Sequence, residues 1–209
     1  MDAYIKTKRF SEIAKKLGKI VPFGMIKDMR NWILSQEYYA EGDSENLKNL
    51  ILFLLKNYAG VRVKVPPPKH QLDYGLYLPG VGIIEDFDRY KERIEYDDKK
   101  PTVGVLLYGH MHFDDTRPIA DALFTLLKDV NLIFVFARVE YNIEAIDKYL
   151  RDIDLFLNLQ YFRIHGGPYG GDPEPTLKFF QEVDVPHIIG LRSCETEIEK
   201  WKESKNGID

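Results

Sequence analysis

Val103-Gly104-Val105-Leu106-Leu107-Tyr108 is an unbroken apolar run, entered after Pro101. A strand with one wet face alternates apolar and polar residues. A continuous run marks a strand covered on both faces, as in a parallel sheet. Three further runs follow at residues 132–136 (Leu-Ile-Phe-Val-Phe), 154–159 (Asp-Leu-Phe-Leu-Asn-Leu) and 187–191 (His-Ile-Ile-Gly-Leu). Between them, residues 118–128, 142–150 and 176–182 carry helical patterns. Runs of about five residues alternating with helices predict an α/β domain over 101–209. Its core is a parallel sheet of about four strands flanked by helices, with right-handed crossovers.

Upstream, residues 1–100 read as a mainly helical N-terminal region with a proline-rich linker. Phe10, Ile13, Ala14 and Leu17 repeat at helical spacing, and Gly18 can close that segment. Residues 26–39 form a second helical pattern, with Met29, Trp32 and Ile33 on one face. Ser44 is placed to cap a third, whose apolar stripe is Leu47, Leu50, Ile51, Leu54 and Leu55. Val61-Arg62-Val63-Lys64-Val65 alternates as a short strand would, and Pro66-Pro67-Pro68 makes the next segment stiff and extended. Residues 74–80, with Pro79-Gly80, read as a packed loop, and 84–94 as a short helix.

Bulk composition narrows the function classes. With 44% hydrophobic residues the chain can build a core, unlike a disordered segment. A net charge of −4 gives no basic field for nonspecific nucleic-acid binding. The lone Cys194 cannot form an internal disulfide, and Arg192 beside it is outweighed by Glu195 and Glu197, which oppose a thiolate nucleophile. Residues 1–20 lack the apolar core of a signal peptide, and no apolar run is long enough to span a bilayer. A cytoplasmic protein with no membrane span is the expectation.

Ligands of open parallel sheets bind beyond the carboxyl ends of the strands. Three segments lie there: 109–116, 160–172 and 192–195. The first gathers His110, His112, Asp114 and Asp115, a set able to bind a divalent metal or exchange protons near neutral pH. The alternative is that Asp114, Asp115 or Thr116 caps the following helix while the histidines lie at the surface. The second segment is glycine-rich, with Gly166-Gly167 and Gly170-Gly171 permitting close backbone approach to a ligand. It lacks the lysine and hydroxyl residue of a phosphate-binding P-loop, so nucleotide binding is not expected. Tyr161, Phe162, His165 and Tyr169 could stack on a flat ring, and Arg163 could pair a carboxylate in a fork. The alternative is a surface loop whose aromatics pack on the domain edge.

Read in order, the motifs resemble one family. The Gly42–Gly60 segment with its Asn46-Leu47-Lys48-Asn49-Leu50 step, the three prolines 66–68, and Tyr74-Gly75-Leu76-Tyr77-Leu78-Pro79 resemble successive segments of the large, tetrapyrrole-binding subunit of metal chelatases, the cobaltochelatase CobN type and the magnesium-chelatase H-subunit type. The run from Arg89 through Tyr108 resembles that family's next strand. Residues 185–193, then Trp201, Ser204 and Gly207-Ile208-Asp209, resemble its continuation. The loop after the first strand departs from the family's Ser-His and Gly-Asp-Thr pattern. His110 or His112, Asp115 and Thr116 match, but Asp114 replaces the glycine.

The resemblance implies part of an ATP-dependent chelatase inserting cobalt or magnesium into a tetrapyrrole, in cobalamin- or chlorophyll-type biosynthesis. It implies AAA+ partner subunits that hydrolyse the ATP, a divalent metal as substrate rather than resident cofactor, and a larger subunit of which this chain is an N-terminal fragment or truncated relative. His110, His112, Tyr161, Arg163, His165 and Tyr169 become candidates for the macrocycle, and His110, His112, Asp114 and Asp115 for the metal. No catalytic residue is assigned, and the chain alone is expected not to insert metal. The alternative is a structural or docking module of the same subunit, with no ligand site of its own.

Overall fold

The computed structural model describes residues 24–109, 113–160, 164–165, 170–190 and 197–205. The chain divides into two compact units, Met1–Leu72 and Asp73–Asp209. The pattern Phe10, Ile13, Ala14 and Leu17 lies outside the described residues.

In the first unit, helix α1 (Met25–Glu41) ends at Gly42, whose left-handed φ of 61° lets its N–H return to the Tyr38 carbonyl. Helix α2 (Ser44–Tyr58) starts one residue earlier than expected. Asp43, not Ser44, is the cap, and its carboxylate accepts the Asn46 N–H at 2.6 Å. The expected apolar stripe is not the buried face. α2 buries Asn46, Asn49 and Phe53, while Ile51 and Tyr58 are 60% and 58% exposed. The segment after α2 sets which face is covered. Residues 61–72 form no strand: among the described residues Val61–Val65 pairs with no other strand, and side chains hold residues 66–71. The Tyr38 hydroxyl donates to the Pro66 carbonyl, Asn46 bonds both backbone groups of Lys69, and Glu41 accepts from the Gln71 N–H at 2.9 Å. The Glu41 carboxylate also meets His70 Nδ1 at 2.8 Å.

The second unit is a six-stranded sheet in the order β2-β1-β4-β3-β5-β6. β3 (Thr102–Tyr108), β4 (Asn131–Ala137), β5 (Leu155–Asn158) and β6 (His187–Ile189) run parallel, as the apolar runs require. Two strands were not expected. Tyr74–Leu78 is β1, antiparallel to β4, and Gly82–Ile84 is β2, paired back to β1. The Pro79-Gly80 pair turns this hairpin, with Gly80 at φ 77°. β1 and β2, which lie in the stretch read from sequence as the N-terminal region, therefore pair with the sheet. α3 (Phe87–Arg93) follows β2, and its Tyr90 is fully buried, donating to the Leu132 carbonyl at 3.0 Å.

Two apolar layers cover the sheet. On one face Val103, Val105, Leu107, Phe134 and Phe136 pack under Ala120 of α4 (Phe113–Leu126). On the other, Leu106, Ile133, Val135 and Phe156 pack under Ala145 and Ile146 of α5 (Asn142–Tyr149) and Phe179 of α6 (Glu174–Val183). Full burial of each such Leu, Ile or Phe is worth about 1.5–3 kcal/mol. β6 departs from the expectation of a covered strand: it is the sheet edge, with Ile188 50% and Ile189 57% exposed. α7 (Ile198–Glu203) closes the described chain.

Candidate functional site

β3 and β5 are neighbours and parallel, so their following loops leave the same edge of the sheet. The helix after β3, α4, lies on one face, whereas the helix after β5, α6, lies on the other. Adjacent strands whose connections depart to opposite faces define a topological switch point, where a crevice opens between the loops. Gly109 leaves β3 and Gln160 follows β5 at this position.

The β3 loop starts under tight backbone control. The Gly109 N–H donates to the Ala137 carbonyl at 2.8 Å. A Cβ at Gly109 would stand 2.8 Å from the Ala137 carbonyl carbon, so only glycine lets the chain pass this close to β4. At the far end, Thr116 is fully buried and its hydroxyl accepts the Tyr108 N–H at 3.1 Å. The two ends of the loop are thereby tied together.

α4 begins at Phe113, five residues before the expected start at 118, and Pro118 lies inside it. Asp114 and Asp115 therefore sit in its first turn, where carboxylates complement the positive end of the helix dipole. Asp114 is well exposed and pairs with Arg117 at 3.3 Å, a solvated contact of small energetic weight. Asp115 is half-buried. His110 and His112, proposed alongside them, lie outside the described residues. Among the described residues no group of three or more His, Cys, Asp or Glu side chains is arranged to hold a metal ion.

In the β5 loop, Tyr161, Phe162, Arg163 and Tyr169 also lie outside the described residues, as do Arg192 and Cys194 after β6. His165 is described: it is partly buried, and its Nδ1 is enclosed without a hydrogen-bond partner among the described residues. Ile164 beside it is buried.

Asn142 and Arg138 escaped the sequence reading, and Gln160, inside the 160–172 segment, was given no role there. Gln160, immediately after β5, and Asn142, at the start of α5, are both fully buried and pair amide to amide at 2.8 and 3.0 Å. Arg138 follows β4, its side chain 15% exposed, with Asp73 at 3.4 Å and Glu140 at 3.8 Å. A polar residue directly after an apolar run was the available signal for Gln160 and Arg138; Asn142 is indistinguishable in sequence from an ordinary helix start.

The CobN/Magnesium Chelatase family model matches residues 36–209. The chain is 26% identical over 212 residues to the magnesium-chelatase H-subunit of Cereibacter sphaeroides, covering 92% of this chain and 17% of that protein. It is 26% identical over 215 residues to the corresponding protein of Chlorobaculum parvum, covering 97% and 17%. The catalytic subunit of cobaltochelatase from Mycobacterium tuberculosis superimposes with a TM-score of 0.53 at 18% identity, over 86% of this chain and 15% of that one, a likeness of fold. This chain thus spans about a sixth of the length of the relatives it matches. With the family match covering most of the sequence and the α/β sheet in agreement, the chain belongs to the CobN/Magnesium Chelatase family.

Proposed function

We propose that this chain supplies part of the tetrapyrrole-binding surface of a metal-chelatase large subunit, inserting cobalt or magnesium with ATP hydrolysed on separate AAA+ subunits. The observation that carries the reading is the switch point, where the loops after β3 and β5 emerge side by side from adjacent strands. Insertion of a divalent ion into a free-base macrocycle releases two pyrrole N–H protons. Imidazoles and carboxylates are suited both to accept those protons and to deliver a partly dehydrated ion. On this reading His110, His112, Asp114 and Asp115 serve the metal and the protons. Arg163 pairs a carboxylate of the macrocycle rim, Tyr161 and Tyr169 lie against its face, and His165 approaches from the β5 side.

Titration of the 209-residue chain with protoporphyrin IX, followed by absorbance, tests this. Saturable micromolar binding, weakened by His110→Ala or His112→Ala, is the expected result. Binding indifferent to both substitutions removes the site from this edge. The chain alone is expected not to catalyse metal insertion; steady insertion by it would overturn the division of labour.

A second reading, a docking module, is favoured by a different feature. Trp32, Ile51 and Tyr58 of the first unit are 61%, 60% and 58% exposed, apolar surface that a partner could cover. Absence of saturable porphyrin binding favours this reading.

A further inference from the structure

The buried Asn142–Gln160 pair occupies the base of the switch point, and its bonds reach three strand ends at once. Gln160 Nε2 faces the Leu107 carbonyl of β3 at 2.9 Å, the Ala137 carbonyl that ends β4 at 3.3 Å, and Asn142 Oδ1 at 3.0 Å. The Gln160 N–H donates to Asn158 Oδ1 of β5 at 2.9 Å. Asn142 Nδ2 donates to Gln160 Oε1 at 2.8 Å and to the Ile164 carbonyl at 3.2 Å. The backbone carbonyls fix the orientation of both amides, because each can be met only by an NH2 group. The network therefore has one satisfied geometry, and that geometry dictates where the chain stands at Ile164 and His165.

His165 is what this arrangement presents. The carbonyl of its neighbour is held from behind, while its own Nδ1 is enclosed and left without a partner among the described residues. An enclosed imidazole nitrogen left open, on a segment braced by a fully bonded amide network, is set up to meet a ligand group. The opposite edge of the sheet offers a contrast. Asn131 is also buried and bonds the Asp97 and Lys100 carbonyls and the Thr102 hydroxyl at the start of β3, away from the loops that follow β3 and β5.

We propose that Asn142 and Gln160, anchored on the ends of β3 and β4, are the positioning residues of this site, setting the place of His165 through the Ile164 carbonyl. The ligand half of the inference rests on the tetrapyrrole reading above; the positioning half rests on the Asn142 bond to the Ile164 carbonyl. The test uses the full chain with the near-isosteric Asn142→Asp and Gln160→Glu, and with Asn131→Asp as a buried control. Two quantities are read: the imidazole 15N resonances of His165 in the ligand-free protein, assigned through His165→Gln, and the affinity for protoporphyrin IX.

Both site variants are expected to move the His165 resonances and to weaken protoporphyrin IX by about tenfold or more, the scale of supporting-residue effects in metal sites. Asn131→Asp should change neither, even where it lowers the melting temperature as much. If His165 is unmoved in both site variants, or moves equally in the control, the pair is only structural. If the resonances move but the parent protein binds no porphyrin, positioning stands and the tetrapyrrole reading falls. Should the acidic variants not fold, Asn142→Ser removes the donor to Ile164 without adding charge and is read in the same way.

Discussion

Asn46 bonds to Lys69 through both of its amide atoms: Nδ2 donates to the Lys69 carbonyl at 2.8 Å, and the Lys69 N–H donates to Oδ1 at 2.9 Å. One side chain thus meets both backbone groups of a residue that lies in no strand, as a neighbouring strand would. Asn46→Ala leaves both backbone groups without their partner, and we expect a loss of about 1–3 kcal/mol. Asn57→Ala removes only a bond to the carbonyl of Phe53 one turn earlier in the same helix and should cost less than about 0.5 kcal/mol. The sequence holds two tryptophans, so Trp32 fluorescence in a Trp201→Phe background, followed through urea unfolding, reports the difference.

Gly109 is expected to be intolerant for a steric reason. A Cβ there would lie 2.8 Å from Ala137 C and 2.9 Å from Arg138 N, and neither is the end of a flexible side chain. Gly109→Ala must push β3 and β4 apart at the site, for about 1–3 kcal/mol. Gly80→Ala, at φ 77° with open space around it, meets conformational strain alone and should lose about 1 kcal/mol. Denaturant midpoints of the two variants should fall in that order, and equal midpoints would count against the close approach.

These two residues also mark how far the sequence could be read. The four parallel strands were legible because an unbroken apolar run such as Val103–Tyr108 has few other homes. Tyr74–Leu78 was not recognised as a strand, since Tyr-Gly-Leu-Tyr-Leu carries apolar residues on both faces and ends in Pro-Gly. The same Pro-Gly, taken as a hairpin turn, would have revealed β1 and β2. Val61–Val65 misled in the opposite sense: alternation states a preference, and among the described residues no strand lies beside the segment to pair with it. The α2 stripe misled because helical periodicity shows which face is apolar but not which face is covered. For the site, the topology placed the β3 and β5 loops at one edge. The Asn142–Gln160 pair stayed invisible, because its partners come from strand ends far apart in sequence and only the fold assembles them.

Tyr77 should resist alkali. Its hydroxyl donates to Asp121 Oδ1 at 2.7 Å, and burial together with this carboxylate pushes its pKa up to about 12. The unfolded phenol ionises near 10, so between about 10 and 12 the unfolded state releases a proton that the folded state keeps. Stability is then full below about pH 10 and declines as pH rises through this window. Tyr77→Phe is expected to lose about 1–3 kcal/mol at about pH 8 and to show a shallower alkaline decline. Parallel decline in the two proteins would show that Tyr77 does not govern it.

His187 opens β6 and stacks on Phe180 with ring centroids 4.6 Å apart, while Phe156 meets its edge at 5.1 Å. Desolvation beside these rings lowers its pKa below the usual histidine value of 6.5. The sign follows from proton counts. As pH falls through about 6.5 the unfolded imidazole takes up a proton that the folded one still refuses, so the unfolded state gains and stability drops. Above that pH both states are neutral and no loss occurs. His187→Phe keeps an aromatic ring against Phe180 and has no proton to bind. Melting temperatures measured from about pH 7.5 downward should therefore diverge, the parent protein losing more than the variant once pH passes below about 6.5. The substitution changes this one side chain, so the difference between the two curves isolates His187. Superimposable curves would mean that the stacked imidazole protonates in the folded protein as readily as in the unfolded chain, and that the rings around it do not exclude the charge.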